Sequence, residues 1–270
     1  RKDFRKLYDE HTRAHLAILK GYPYEFDIKE YEAEWFRGID LLKKFRIENT
    51  EYLINKLSDK GKKILAEGAQ GTMLDLDFGS YPFVTSSNTI SAGACTGMGV
   101  SPKKIGEVFG IFKAYCTRVG SGPFPTELND DTGEKIRKTG SEYGATTGRP
   151  RRCGWLDLPA LKYAIMINGV TRLLMTKADV FSGFQSIRVC TAYSVNGKES
   201  EEVLFSNDSK IEPVYKEFKG WSENISGIRE YGSLPETLKS YIGFIEHQTG
   251  VPVSMGSVGP DRNATMTREN

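Results

Sequence analysis

A chain of 270 residues with 39% hydrophobic and 27% charged side chains is long enough to bury one large core, or a core with a small extra lobe. Its net charge of +2 gives no global pull toward nucleic acid or a membrane surface, so any basic function is local, and no apolar run is long enough to span a bilayer. Cys95, Cys116, Cys153 and Cys190 are widely spaced with no C-x-x-C pair, the pattern of reduced thiols in a cytosolic protein rather than of a zinc site or disulfide framework.

The opening Arg1-Lys2-Asp3-Phe4 has no initiator Met and no signal peptide, and it starts directly in a charged helical pattern, as expected of part of a longer chain. Apolar residues at Phe4, Leu7, Tyr8, Leu16 and Ile18 among charges predict a surface helix from Lys2 to Leu19. His11 and His15 share a face at a spacing that can hold a metal, but no third ligand is near, and a solvated helix face is the better reading. The same helical pattern recurs from Ile28 to Arg46 and, more briefly, from Glu51 to Leu57. None of this front part carries recognisable chemistry. The texture changes at Gly61, which predicts a helical segment over residues 1–62 and an α/β part over 63–270.

Lys63-Ile64-Leu65-Ala66 is a short apolar run after a turn and predicts a buried strand. It would deliver Glu67-Gly68-Ala69-Gln70-Gly71-Thr72 to the strand end where open α/β sheets bind ligands. Thr85-Ser86-Ser87-Asn88-Thr89 offers hydroxyls and an amide that suit phosphate oxygens, or simply cap a turn. Gly97-x-Gly99 alone is a weak nucleotide signal. Val108 to Val119 predicts a strand, and Gly120-Ser-Gly-Pro-Phe-Pro a rigid loop. Asp130, Asp131 and Glu134 can bind a metal, but they fit a capped helix start better. Further helices are predicted from Leu158 to Ile167, closed by Gly169, and from Leu234 to His247, closed by Gly250. Strands are predicted at Arg172–Thr176, at Ser186–Val195 before an Asn196-Gly197 hairpin turn, and at Pro252–Gly256. Residues 207–232 read as a polar excursion.

Two stretches carry the chemistry. In GSEYGATTGRPRRCGW, from Gly140 to Trp155, Gly144 and Gly148 let the backbone approach a ligand. Thr146 and Thr147 bring hydroxyls beside backbone N–H groups, and Arg149, Arg151 and Arg152 follow, with Pro150 fixing one φ. Guanidinium forks match carboxylates and phosphates in two-point contacts. With no acidic residue next to the arginines in the sequence, the loop reads as a receptor for anions rather than a solvated basic loop. In the second stretch, Lys177-Ala178-Asp179 follows an apolar strand. An Asp there can accept both edge N–H groups of guanine, and the Lys stem can lie on the base plane. The pattern resembles the guanine-specificity motif of GTP-binding proteins, although a surface salt bridge produces the same residues. Ser257-Val258-Gly259 is another small-residue strand end suited to close over a flat base.

EGAQGT at Glu67, YPFVTSSNT at Tyr81, KAYCTRVGSGPFPTEL at Lys113, GATTGRPRRCGWLD at Gly144, TKAD at Thr176 and SVGPDR at Ser257 occur in this order. Together they resemble the adenylosuccinate synthetase family, purine-pathway enzymes that join L-aspartate to IMP with GTP, closely over residues 63–270 and more loosely before. The resemblance implies an α/β fold with a mostly parallel central sheet flanked by helices, P-loop-NTPase-like with its amino-terminal strands missing. It implies that Gln70 contacts the IMP base and stabilises its oxygen, that Thr85 meets the IMP phosphate, and that Ala145 to Arg151 form the aspartate loop. Arg149 would bridge aspartate and IMP, and Arg151 would reach GTP. Lys177, Ala178 and Asp179, with Ser257, Val258 and Gly259, would frame the guanine. It further implies a cytoplasmic homodimer, a Mg²⁺ requirement and a 6-phosphoryl-IMP intermediate.

The family's glycine-rich phosphate loop, its catalytic Asp and His, its magnesium ligands and an arginine lent by the partner subunit have no counterpart in these 270 residues. The expectation is therefore the carboxyl-terminal, substrate-reading part of a ligase, inactive alone. The alternative is a guanine-nucleotide- and IMP-binding fragment without chemistry.

Overall fold

The computed structural model describes residues 3–268 except 24, 26, 147 and 206–210, so the predicted aspartate-loop residue Thr147 lies outside the described residues. The chain divides into two compact units, residues 1–49 and 50–270. The first holds α1 (Phe4–Leu19) and α2 (Lys29–Leu42). Tyr8 stacks on Trp35 at 4.9 Å and meets Phe36 edge-on at 5.1 Å, while the Arg5 guanidinium lies 4.4 Å from the Phe36 ring. These contacts explain the aromatic spacing read in the sequence. His11 and His15 are exposed, and no metal-ligand cluster forms among the described residues.

The second unit runs α3 (Thr50–Asp59), α4 (Ala92–Met98), β1 (Phe109–Lys113), β2 (Cys116–Arg118), α5 (Asp131–Thr139), β3 (Arg152–Gly154), β4 (Leu156–Asp157), α6 (Leu158–Asn168), β5 (Arg172–Thr176), β6 (Ser186–Val195), β7 (Lys198–Ser200), β8 (Ile211–Lys219), α7 (Glu236–Thr249), β9 (Val253–Ser257) and β10 (Thr265–Thr267). The central sheet has the order β1-β5-β9-β10. Its first two pairings are parallel and the last antiparallel. A second sheet is built on β6, which pairs with β8 along its whole length and with β4 and β7 as well. The fold is the expected α/β arrangement with a mostly parallel central sheet. Among the described residues, no helix is long and apolar enough to cross a membrane.

Local chemistry places the helix ends. The Asp157 carboxylate accepts the Ala160 N–H at 3.0 Å to start α6, and Gly169, at φ 62°, ends it. Asp130 caps α5 by accepting the Gly133 N–H at 3.0 Å, so the acidic patch is a helix start. Gly99 closes α4 in the left-handed region, which makes Gly97-x-Gly99 a helix end rather than a phosphate loop. Asn196 and Gly197 both adopt positive φ between β6 and β7, the hairpin turn their sequence predicts.

Three expectations are corrected. Residues 62–69 form no strand, and Ile64 and Leu65 are exposed, Leu65 by 86%. A three-residue apolar run needs a neighbouring strand to bury it, and none pairs with it here. The predicted strand 108–119 is two strands in two sheets, because Ala114 and Tyr115 turn inward at a buried corner. The excursion 207–232 contains β8, whose exposed Glu212, Lys216, Glu217 and Lys219 mask the half-buried Tyr215 and Phe218 packed against the core.

Phe181 anchors the core where the chain leaves β5. It is fully buried, with ring contacts to Tyr115, Trp155, Phe184 and Trp221 at 5.2–6.1 Å. Tyr241 of α7 meets Trp221 at 6.2 Å and donates its hydroxyl to the Ala114 carbonyl at 2.7 Å. Removing the Phe181 ring leaves a cavity that these large neighbours cannot collapse into. Phe181→Ala is expected to lower stability by about 3–5 kcal/mol, read by denaturant unfolding, whereas a loss under about 1 kcal/mol would show that Phe181 does not anchor this core.

Candidate functional site

The carboxyl ends of β1, β5 and β9 lie side by side, with Lys113 opposite Thr176 and Met175 opposite Gly256. Lys177-Ala178-Asp179 and Ser257-Val258-Gly259 therefore leave neighbouring parallel strands together, at the edge where open α/β sheets take ligands. Lys177 holds a left-handed backbone, φ 61°, and a short 3₁₀ turn over Ala178–Phe181 follows, pinned by the buried Ala178, Val180 and Phe181. Asp179 Oδ1 is buried with no hydrogen-bond partner. Burial pushes its carboxyl above the ordinary carboxylate range, against its own backbone N–H and the Lys177 charge. The Ser257 hydroxyl donates to the Gly259 carbonyl at 2.8 Å, and the Val258 side chain is buried.

The arginine-rich stretch is organised by a residue that sequence reasoning passed over. Glu142 is completely buried. Its Oε1 accepts from the Tyr115 hydroxyl at 2.7 Å and from Lys113 Nζ at 2.8 Å, and its Oε2 accepts from Arg151 Nη1 at 2.8 Å. Lys177 Nζ lies 3.4 Å from Oε1 and also donates to the Gly140 carbonyl. Burial alone would push this carboxyl up, but the hydrogen bonds and positive charges around it outweigh burial and hold it at about 2. Burial pushes the Lys113 ammonium below its usual range, with Glu142 opposing.

The expectation that nothing acidic neutralises the arginines is thus corrected. Arg151 pairs with Glu142, and Arg152 pairs with Glu127 through two nitrogens while also donating to the Gly120 and Gly122 carbonyls. These partners are distant in sequence or hidden behind Tyr143, so adjacency could not reveal them. The loop between is closed by its own backbone: Gly144 N–H donates to the Arg149 carbonyl at 2.9 Å and Gly148 N–H to the Gly144 carbonyl at 2.8 Å. Ala145, Thr146, Gly148, Arg149 and Pro150 are exposed there.

Gln70, Lys113, Arg118, Arg151, Asp157 and Tyr193 line one cavity of about 510 Å³. Gln70, at φ 75°, reaches it from an irregular segment, not from a strand end. Thr85 does not line the cavity, but its N–H donates to the carbonyl of Leu74, which does. The segment around Thr85 is held by Asp75, whose buried carboxylate accepts four backbone N–H groups, from Asp77, Phe78, Thr89 and Ile90. These donors outweigh burial and keep its carboxyl below the usual range. Arg118 donates to the Ser80 hydroxyl and to the Phe83 and Ser121 carbonyls. Cys116 also faces the cavity, but burial pushes its thiol up to about 12, so it is not a ready nucleophile. Among the described residues no three His, Cys, Asp or Glu side chains converge. The described residues therefore offer no magnesium cage of their own.

A mostly parallel sheet, with small residues and clustered cations at its strand ends, defines a protein of the α/β class. The chain belongs to the adenylosuccinate synthetase family, whose profile matches residues 1–266. It is 55% identical over 266 residues to the adenylosuccinate synthetase of Parabacteroides distasonis, covering 98% of this chain and 63% of that protein. It is 54% identical, with the same coverage, to that of Bacteroides fragilis. The fully ligated adenylosuccinate synthetase of Plasmodium falciparum superposes with a TM-score of 0.90 at 39% identity, over 99% of this chain and 64% of that one. The chain thus spans less than two thirds of the length of these relatives.

Glu142 is the checkable centre of the site. Its folded value of about 2 lies below the ordinary 4.5, so its contribution to stability is present above the unfolded value and is lost as pH falls through the folded one. Glu142→Gln is expected to cost about 3 kcal/mol at pH 7 by leaving three half-buried cations uncompensated. The gap to the parent protein should narrow between pH 4.5 and 2 in acid unfolding monitored by circular dichroism; a gap independent of pH would remove the charge from the explanation.

Proposed function

We propose that this chain is the substrate- and guanine-reading part of an adenylosuccinate synthetase, which joins L-aspartate to IMP with GTP and releases adenylosuccinate, GDP and phosphate. The observation that carries this reading is the buried, unpartnered Asp179 Oδ1 beside Lys177, on a strand end shared with Ser257–Gly259. A buried acceptor without a donor is costly unless a ligand supplies one, and guanine presents two N–H donors on one edge. Residues 63–270 serve as the binding part of a larger α/β domain. The whole protein acts as a magnesium-dependent cytoplasmic homodimer.

In this reading Gln70 reaches the base of IMP across the cavity and Thr85 takes its phosphate. Residues 145–151 receive aspartate, with Arg149 bridging it to IMP and Arg151 extending to GTP. The reaction passes through 6-phosphoryl-IMP, from which the aspartate amine displaces phosphate. Gln70 contributes an amide donor to the oxygen at C6, while the general base and acid belong to the rest of the longer protein. The loop tied by the Gly144–Arg149 and Gly148–Gly144 backbone bonds suits a segment that shuts on its ligand.

Two substitutions in a full-length protein test the assignment. Asp179→Asn turns an acceptor into a partial donor, so the preference for GTP over ITP, which lacks the 2-amino group, should fall by roughly 1.5–3 kcal/mol. Equal preference in parent and variant would take Asp179 out of the base site. Arg149→Lys keeps the charge but loses the planar fork. It should cost roughly 2–4 kcal/mol, concentrated in the aspartate KM and kcat at saturating IMP and GTP. Wild-type aspartate kinetics would mean that the loop receives something other than a dicarboxylate.

A further inference from the structure

Glu142 touches both halves of the site without itself reaching a ligand. Its Oε2 holds Arg151, which closes the anion loop, and its Oε1 holds Lys113 and Tyr115 and lies 3.4 Å from Lys177, which opens the base segment. One buried negative charge is shared by three cations, two more than it can neutralise. Their hold is unequal, for Lys177 is the most distant of the three. Arg151 is also unsettled: its Nε–H is buried with no partner, an arrangement that improves if the guanidinium shifts onto a ligand oxygen.

We propose that Glu142 is a positioning residue that couples the two sides of the site, so that an acidic ligand on the loop tightens guanine-nucleotide binding at the base segment. The inference rests on the reading of the two stretches given under the proposed function. A carboxylate that draws Arg151 away frees Glu142 Oε2, and the undivided charge then pulls Lys177 inward. Lys177 is already fixed in a left-handed backbone conformation two residues before Asp179, so a shorter contact at Nζ stiffens the stem that lies over the base. Linkage makes the effect reciprocal: guanine nucleotide tightens the acidic ligand by the same factor. Tyr115 and Lys113 stay on Oε1 throughout and keep the carboxylate in place.

The test is equilibrium binding of GDP to a full-length protein, with and without saturating aspartate, by calorimetry. In the parent protein aspartate is expected to tighten GDP about fivefold or more, the lower end of typical couplings. In Glu142→Gln that factor should fall to about 1, in keeping with a lost coupling, even if both ligands bind more weakly. A merely structural Glu142 would weaken the two affinities together and leave their ratio unchanged, and that result would overturn the inference. Glu142→Asp retains the charge but retracts it by one methylene, so it cannot span Arg151 and Lys177 together. Its coupling should fall as well, and it decides the matter if the Gln variant does not fold. A parent protein that bound no GDP would instead refute the proposed function, whereas tight binding of both ligands with no coupling would refute only the role of Glu142.

Discussion

One buried carboxylate determines where the cations of this site point. Glu142 lies between the end of α5 and the anion loop, reached by Lys113 from the end of β1, by Lys177 from the end of β5 and by Arg151 from the loop. Without it, three long cationic side chains would repel one another at the end of a parallel sheet and relax into solvent. With it, each is held on one carboxylate, and Lys113 and Lys177 gain second acceptors in the Thr117 hydroxyl and the Gly140 carbonyl. The backbone reinforces the arrangement, since the Arg151 N–H donates to the Glu142 carbonyl at 2.9 Å and the Glu142 N–H to the Arg137 carbonyl at 2.9 Å. The loop therefore begins and ends on one residue, which leaves only the segment between to adapt.

The same economy governs the core beneath. The aromatic group around Phe181 packs directly under the turn that carries Asp179, and Tyr241 ties α7 to the corner where β1 ends. A ligand edge built on such packing is stiff where recognition needs geometry. The anion loop, by contrast, makes backbone bonds with itself and buries little. Tightly packed strand-end residues and a loop bonded chiefly to itself give the site one rigid side and one that can close.

Much of this was legible in the sequence because it is written in local signals. β5 and β6 match their predicted bounds, since each is an apolar run closed by a turn signal, and α6 starts on Asp157 and stops at Gly169 as its cap chemistry dictates. The gathering of Lys177–Asp179 and Ser257–Gly259 was legible too, as two small-residue strand ends. What escaped is non-local. Lys63–Ala66 has the composition of a strand but no partner to pair with. The break at Ala114–Tyr115 depends on Glu142, 27 residues from Tyr115. Glu142 itself sat inside the stretch singled out for its arginines and was overlooked, because Tyr143 and the loop separate it from them in sequence while folding brings it to Arg151. A long-range charge pair leaves no periodic trace. The signal that was available is compositional: a single acid at the mouth of an arginine-rich loop is a candidate to organise it.

Three buried acids show by contrast why the half-buried Asp179 stands apart. Asp75 spends its oxygens on four backbone N–H groups and so freezes a loop. Asp157 caps α6 and accepts the Tyr193 hydroxyl at 2.6 Å, and burial pushes its carboxyl up despite them. Glu142 is saturated by Tyr115 and its cations. Each of these three is satisfied by the protein's own groups. Of these acids, Asp179 keeps a buried oxygen with no partner among the described residues, on a segment where two parallel strands deliver small residues side by side. Burying an acceptor without a partner costs free energy that the fold does not recover by itself. That cost falls away when a donor reaches the open oxygen from outside the chain, which sets Asp179 apart from the three acids that the protein satisfies itself.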